Sequence, residues 1–205
     1  MPRARHRGRT LLAALPLVLL AGCGGSGGVS STELTGTVLD PPFEVSSTPL
    51  VDTDGAAYSL TKDTDKDLTL VFFGYTHCPD ICGQVMATLA GTLARLDEEQ
   101  EQRLDVVFVT TDPARDDEAA TLAYVNAFDP SIIGLTGELD DIVEVGESLA
   151  VGIDKGDKLP SGGYDVTHGT RVYAVDSDDE SPMMWDHDVS QAQLAGDVLT
   201  LLDEG

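Results

Sequence analysis

The chain has 205 residues, 36 aspartates and glutamates against 12 lysines and arginines, and a formal charge of −24 at pH 7. That length admits one domain of ordinary size with terminal extras. The acidity excludes nucleic acid as a partner and argues against docking on anionic lipid heads, because both need clustered Lys and Arg. The acids are spread through the chain rather than gathered in one tail, which describes a solvated, soluble surface.

The N-terminus stands apart. Arg3, Arg5, Arg7 and Arg9 form a basic stretch, and "LLAALPLVLLAG", residues 11–22, follows it. The apolar run is too short to span a bilayer with ease but suits the core of an export signal, so residues 1–22 are expected to be a signal peptide. "LAGC" resembles the lipobox of bacterial-type lipoproteins. That resemblance implies cleavage before Cys23, lipid on its thiol, and a place on the outer face of the cytoplasmic membrane. Residues 23–35, with "GGSGGVSST", then read as a flexible tether spanning on the order of 20 Å. Without residues 1–22, which carry four arginines and no acid, 8 basic and 36 acidic residues remain, a charge of −28.

Residues 36–205 are expected to form the folded domain. "DPPFEV" reads as an extended lead-in, and 50–52 and 57–60 as a hairpin around "DTDG". "LTLVFFGY", residues 68–75, is a continuous apolar run suited to a buried central strand. Beyond Pro79 the period changes: Ile81, Val85, Leu89, Leu93 and Leu96 recur at helical spacing, with Pro79 and Asp80 suited to a first turn. "LDVVFVTTD" (104–112) predicts a second buried strand and "DDEAATLAYVNAF" a helix with acids in its first turn. "SIIGLTG" predicts a short strand and "ELDDIVEVGESLAV" another helix. A Gly-rich loop spans 152–170, with strand character in its second half. "TRVYAVD" and "PMMWDH" predict a hairpin, and "SQAQLAGDVLTLL" a last helix capped by Ser190. Strands alternating with helices, then two antiparallel strands, describe an α/β fold: a thioredoxin-like mixed central sheet with flanking helices, an N-terminal β-hairpin extension and a loop insertion before the final hairpin.

With Cys23 lipidated, the domain keeps Cys78 and Cys82, both at the carboxyl end of the first buried strand where it meets a helix. Helix N-terminal donors stabilise a thiolate, and Cys82 is expected near them. Two helical positions four apart have Cβ atoms roughly 5–6 Å apart, longer than a relaxed disulfide tolerates unless Cys78 lies off the helix. A bridge, a redox couple and a metal site all remain open. Two thiolates select copper(I), zinc or an iron–sulfur cluster, and structural zinc and clusters usually take four protein ligands. Two Cys with one His would suit three-coordinate copper. His77 adjoins Cys78, where neighbouring side chains commonly point apart. His187 follows a strand as a surface or edge residue. His168 sits in a Gly-flanked loop, which makes it a candidate by position. Met183–Met184 read as packing.

"VFFGYTHCPDIC", "VVFVTTDPARD" and "GYDVTHGTRVYAVD" together resemble the Sco/SenC family, over about residues 36–203. The resemblance implies a membrane-tethered, thioredoxin-like copper chaperone that helps assemble the dinuclear copper site of cytochrome c oxidase. It implies copper, as Cu(I) or Cu(II), on Cys78, Cys82 and His168, with a copper-accepting oxidase subunit or another copper protein as partner. Gly83 stands where many members have Pro, and Thr167 where many have Asp before the metal His; an acid there would tune the imidazole. Asp112–Pro113 matches the family and reads as a turn or as a charge beside the site. The alternative is a thiol–disulfide oxidoreductase of the thioredoxin/peroxiredoxin type, whose usual motif has two residues between its cysteines rather than three.

Overall fold

The computed structural model describes Met1 and residues 34–64, 66–158, 164–167 and 169–204. The expected export segment, the lipid site Cys23 and His168 lie outside the described residues. All described elements belong to the unit Thr32–Gly205. Among the described residues no helix is long and apolar enough to cross a membrane.

The expected central strand is β4 (Leu68–Gly74), and β5 (Leu104–Thr110) lies parallel to it from Leu68–Leu104 to Gly74–Thr110. Both are largely apolar, broken only by Thr69 in β4 and by Asp105 and Thr110 in β5, because both faces of the sheet are covered. Leu70 and Phe72 meet Met86, Leu89 and Leu194 on one face, from helices α1 (Ile81–Leu93) and α5 (Gln191–Glu204). Val71 and Phe73 meet Ile142, Val145 and Leu149 on the other, under α4 (Leu139–Ser148). The helix α3 (Glu118–Asn126) adds Val125 to the first face.

The sheet has eight strands in the order β1-β10-β9-β4-β5-β6-β2-β3, where β1 is Thr37–Glu44, β2 Leu50–Asp52, β3 Ala57–Tyr58, β6 Ile133–Thr136, β9 Val172–Asp176 and β10 Glu180–Trp185. The pair β9 and β10 runs antiparallel, as expected, and β9 lies antiparallel to β4 with Val172 opposite Phe72. The mixed α/β sheet and its thioredoxin-like order agree with the sequence pattern. The expected hairpin is β2–β3, joined through β2 to β6 at one edge.

Three elements differ from expectation. The lead-in around "DPPFEV" is strand β1, paired with β10 at the opposite edge, and its register breaks between Val38 and Phe43. Pro41 and Pro42 fall inside that break, on an edge strand, where a missing N–H costs no ladder bond. A short helix, α2 (Glu98–Glu101), is closed by a capping box between Asp97 and Gln100. The long loop before the final hairpin carries β8 (Tyr164–Thr167) in its second half, where strand character is expected, and an unexpected partner, β7 (Asp154–Lys158), with which it forms a separate antiparallel sheet.

Candidate metal centre

β4 ends at Gly74, and the chain turns tightly before α1: the Cys78 N–H donates to the Tyr75 carbonyl at 3.2 Å. The helix begins at Ile81, with Asp80 at its N-cap and no side-chain cap bond. Pro79 therefore stands outside the first turn, a correction of the expected start. Cys78 lies off the helix, half-buried, and no disulfide joins it to Cys82.

That shift decides which sulfur meets the helix N-terminus. Burial pulls the Cys78 thiol upward, but hydrogen bonds from the Cys82 thiol and from the backbone N–H groups of Asp80, Ile81 and Cys82 outweigh it and set Cys78 below the ordinary thiol value. The Cys78 sulfur takes the acceptor position that an N-cap oxygen normally fills. Cys82, expected to be the sulfur near those donors, is instead fully buried against the core of the first face. Burial, followed by the hydrogen bond to Cys78, pushes Cys82 far up, against a weaker opposing bond from the Tyr75 backbone. The Tyr75 hydroxyl also bonds the Cys78 sulfur, and its own proton is held by burial and then by the charge on the two sulfurs.

Gly74 makes room for the inner sulfur. A Cβ on Gly74 would stand 3.1 Å from Cys82 Sγ and 3.0 Å from both the Phe72 and Phe108 rings. The pair is thus one half-buried sulfur with a lowered thiol pKa and one buried thiol on a common hydrogen bond. Rapid alkylation of the reduced protein near pH 7 is expected to consume one equivalent of iodoacetamide, mapped to Cys78. Its rate should titrate with a midpoint below that of an ordinary free cysteine. Preferential labelling of Cys82 in peptide maps would contradict this geometry.

One residue of the site escaped the sequence pattern. Asp116, expected in the first turn of a helix, precedes the Asp117 N-cap of α3 and is completely buried. Its Oδ2 accepts from the Thr76 N–H at 2.9 Å and the Thr110 hydroxyl at 2.7 Å, and its Oδ1 from the Thr76 hydroxyl at 2.6 Å. Its carbonyl accepts from Thr136 Oγ1 at 2.8 Å. Asp116 therefore ties the loop before Cys78 to the end of β5 through its carboxylate and to the end of β6 through its carbonyl. Asp112 is 3 % exposed and pairs with Arg115, whose guanidinium lies 5.8 Å from the Tyr75 ring centroid. The Asp112–Arg115 pair thus borders the Tyr75 ring.

The candidate histidines separate. His77 is exposed and its Nδ1 lies 2.8 Å from Thr76 Oγ1. His187 is half-exposed, and its carbonyl accepts from Gln84 Nε2 of α1 at 3.4 Å. Gly169, which follows His168, lines a cavity of about 470 Å³ with Thr170, Arg171, Tyr173 and His187. Among the described residues no three His, Cys, Asp or Glu side chains form a metal cluster. Met183 lies in the core of one face and Met184 packs on the other, so the pair is packing, as its sequence suggested.

The SCO1/SenC family model matches residues 36–203. The chain is 36 % identical over 110 residues to the mitochondrial SCO2 homologue of Danio rerio, covering 53 % of this chain and 39 % of that protein. It spans about two fifths of the length of the mitochondrial SCO2 homologues it matches. Apo Sco1 from Thermus thermophilus superposes with a TM-score of 0.76 at 28 % identity, covering 84 % of this chain and 99 % of that one. Copper-bound ScoI of Arabidopsis thaliana superposes at 0.71 and 26 % identity, covering 79 % and 99 %.

Proposed function

The chain belongs to the SCO1/SenC family, and on that footing we propose that it is a copper chaperone serving the dinuclear copper site of cytochrome c oxidase. Cys78, Cys82 and His168 hold the ion as cargo. The observation that carries this is the pair of sulfurs at one helix N-terminus with no disulfide between them, one with its thiol pKa lowered by the helix donors and one buried beside it. Two soft donors and an imidazole suit copper(I) better than zinc, and three-coordination leaves a position for an incoming acceptor ligand. Copper bound in a relative of the same fold supports the choice of ion.

The strand register supports His168 as the third donor. β9 begins beside the carboxyl end of β4, with Val172 opposite Phe72, so the segment leading into it reaches the cysteine end of the sheet. Thr167 in place of an acid leaves the imidazole without that partner, which bears on copper(II) more than on copper(I). The domain hangs from the outer face of the cytoplasmic membrane by lipid on Cys23 and the tether over 23–35, after loss of residues 1–22.

Titrating reduced protein with copper(I) against a competing chelator tests the proposal. One tight equivalent is expected, weakened roughly tenfold to a hundredfold in His168→Ala. The half-buried Cys78 sulfur, its thiol pKa lowered, beside a buried thiol also favours a second role, reduction of the acceptor's disulfide: Cys78 attacks to form a mixed disulfide, Cys82 displaces the acceptor as a dithiol, and Cys78–Cys82 is left oxidised as the disulfide. Turnover of a disulfide substrate with no copper affinity, indifferent to His168, would replace the chaperone by that reductase.

A further inference from the structure

His77 is set apart in the sequence only by its neighbour, yet its ring is held in one orientation. Asp116 is fully buried and accepts three hydrogen bonds, one of them from the Thr76 hydroxyl at 2.6 Å. A threonine hydroxyl has a single hydrogen, and here it is committed to the carboxylate. Toward His77 Nδ1, at 2.8 Å, the same oxygen can only accept. The neutral imidazole therefore carries its hydrogen on Nδ1 and keeps its lone pair on Nε2. The Asp116 carboxylate lies 3.7 Å from Nδ1. This is how proteins prepare a metal-binding histidine: the far nitrogen is fixed by a carboxylate or its relay, and the near one is left for the ion. The His77 side chain is 62 % exposed, whereas Cys82 is fully buried.

We propose that His77 Nε2 is a transient docking ligand for copper(I). It takes the ion at the surface together with the half-buried Cys78 sulfur, and is the last group to hold it on departure. His77 and Cys78 are neighbours on the turn between β4 and α1. Copper stays Cu(I) throughout. The Cu–Nε2 bond forms as a bond to the incoming carrier breaks, and it breaks in turn as Cys82 Sγ loses its proton to solvent and binds. His77 lies outside the resting ligand set, so it changes rates and not affinity.

This step rests on the copper-delivery function proposed above, and the test separates the two. Wild-type protein and His77→Ala are loaded with copper(I) from its complex with bicinchoninate and unloaded into excess chelator by stopped flow, alongside equilibrium titration. Loading and unloading are expected to slow together, by about tenfold, with Kd unchanged within about twofold and melting temperature unaltered. Thr76→Val, which keeps the ring but frees its Nδ1, should slow both to a smaller degree. Unchanged rates in His77→Ala overturn the docking role alone. A tenfold loss of affinity places His77 in the resting set and overturns it too. Wild-type protein that takes up no copper(I) sinks the delivery function and the docking role with it.

Discussion

Cys82→Ala is expected to abolish tight copper(I) binding while leaving the domain folded. The side chain is fully buried against Phe72, Phe108 and the bare backbone of Gly74, so alanine removes one sulfur and leaves a small apolar gap. Losing one of two thiolates should weaken copper(I) by at least about a thousandfold, roughly 4 kcal/mol. The raised Cys82 thiol gives the pH dependence its sign. Near neutral pH this sulfur carries its proton, and copper must displace it, so wild-type affinity should rise by roughly tenfold per pH unit for that proton. Cys82→Ala should lose this slope along with the affinity. Chelator competition at several pH values measures both, and circular dichroism checks the fold. Tight binding that survives the substitution would remove Cys82 from the site.

The cysteine corner was legible because its supports are local. A run buried on both faces marks β4, and spacings of three and four mark α1. The polarity of the pair was not legible, because it turns on where the helix starts. Placing the start at Pro79 aims the N-terminal donors at Cys82, whereas a start at Ile81 aims them at Cys78. Asp116 was hidden for a different reason. In sequence it is one more acid before a helix, and its partner Thr76 is 40 positions away. Only the parallel pairing of β4 with β5 brings the two loops together. Pro41 and Pro42 obscured β1, and the charged "DKGDK" of β7 shows no alternation to read. What the family resemblance supplied, and spacing did not, was the weight on His168.

The other large effect is expected far from the cysteines, at Asp197. This carboxylate, 1 % exposed on α5, accepts from the Thr35 N–H and the Thr35 hydroxyl, from the Gly36 N–H at 2.9 Å, and from Trp185 Nε1 at 2.7 Å. It fastens the start of the domain to the last strand and last helix, where the proposed tether joins. Gly36 is fitted to this contact, since a Cβ there would lie 2.5 Å from the indole nitrogen. Asp197→Ala strands several buried donors at once and should cost about 3 kcal/mol, or roughly 10 °C in melting temperature for a domain of this size. Burial alone would raise this carboxyl, but bonds from Thr35, Trp185 and Gly36 hold it below the ordinary aspartate value. A depressed carboxyl contributes its stability above the unfolded value of about 3.9, and loses it as pH falls through the folded one. The stability gap between wild type and Asp197→Asn should therefore be full near neutrality and shrink below about pH 4. Urea unfolding followed by fluorescence of Trp185, the sole tryptophan, reads both quantities. A gap that is flat across that range would mean that the anchor acts through shape and not through charge.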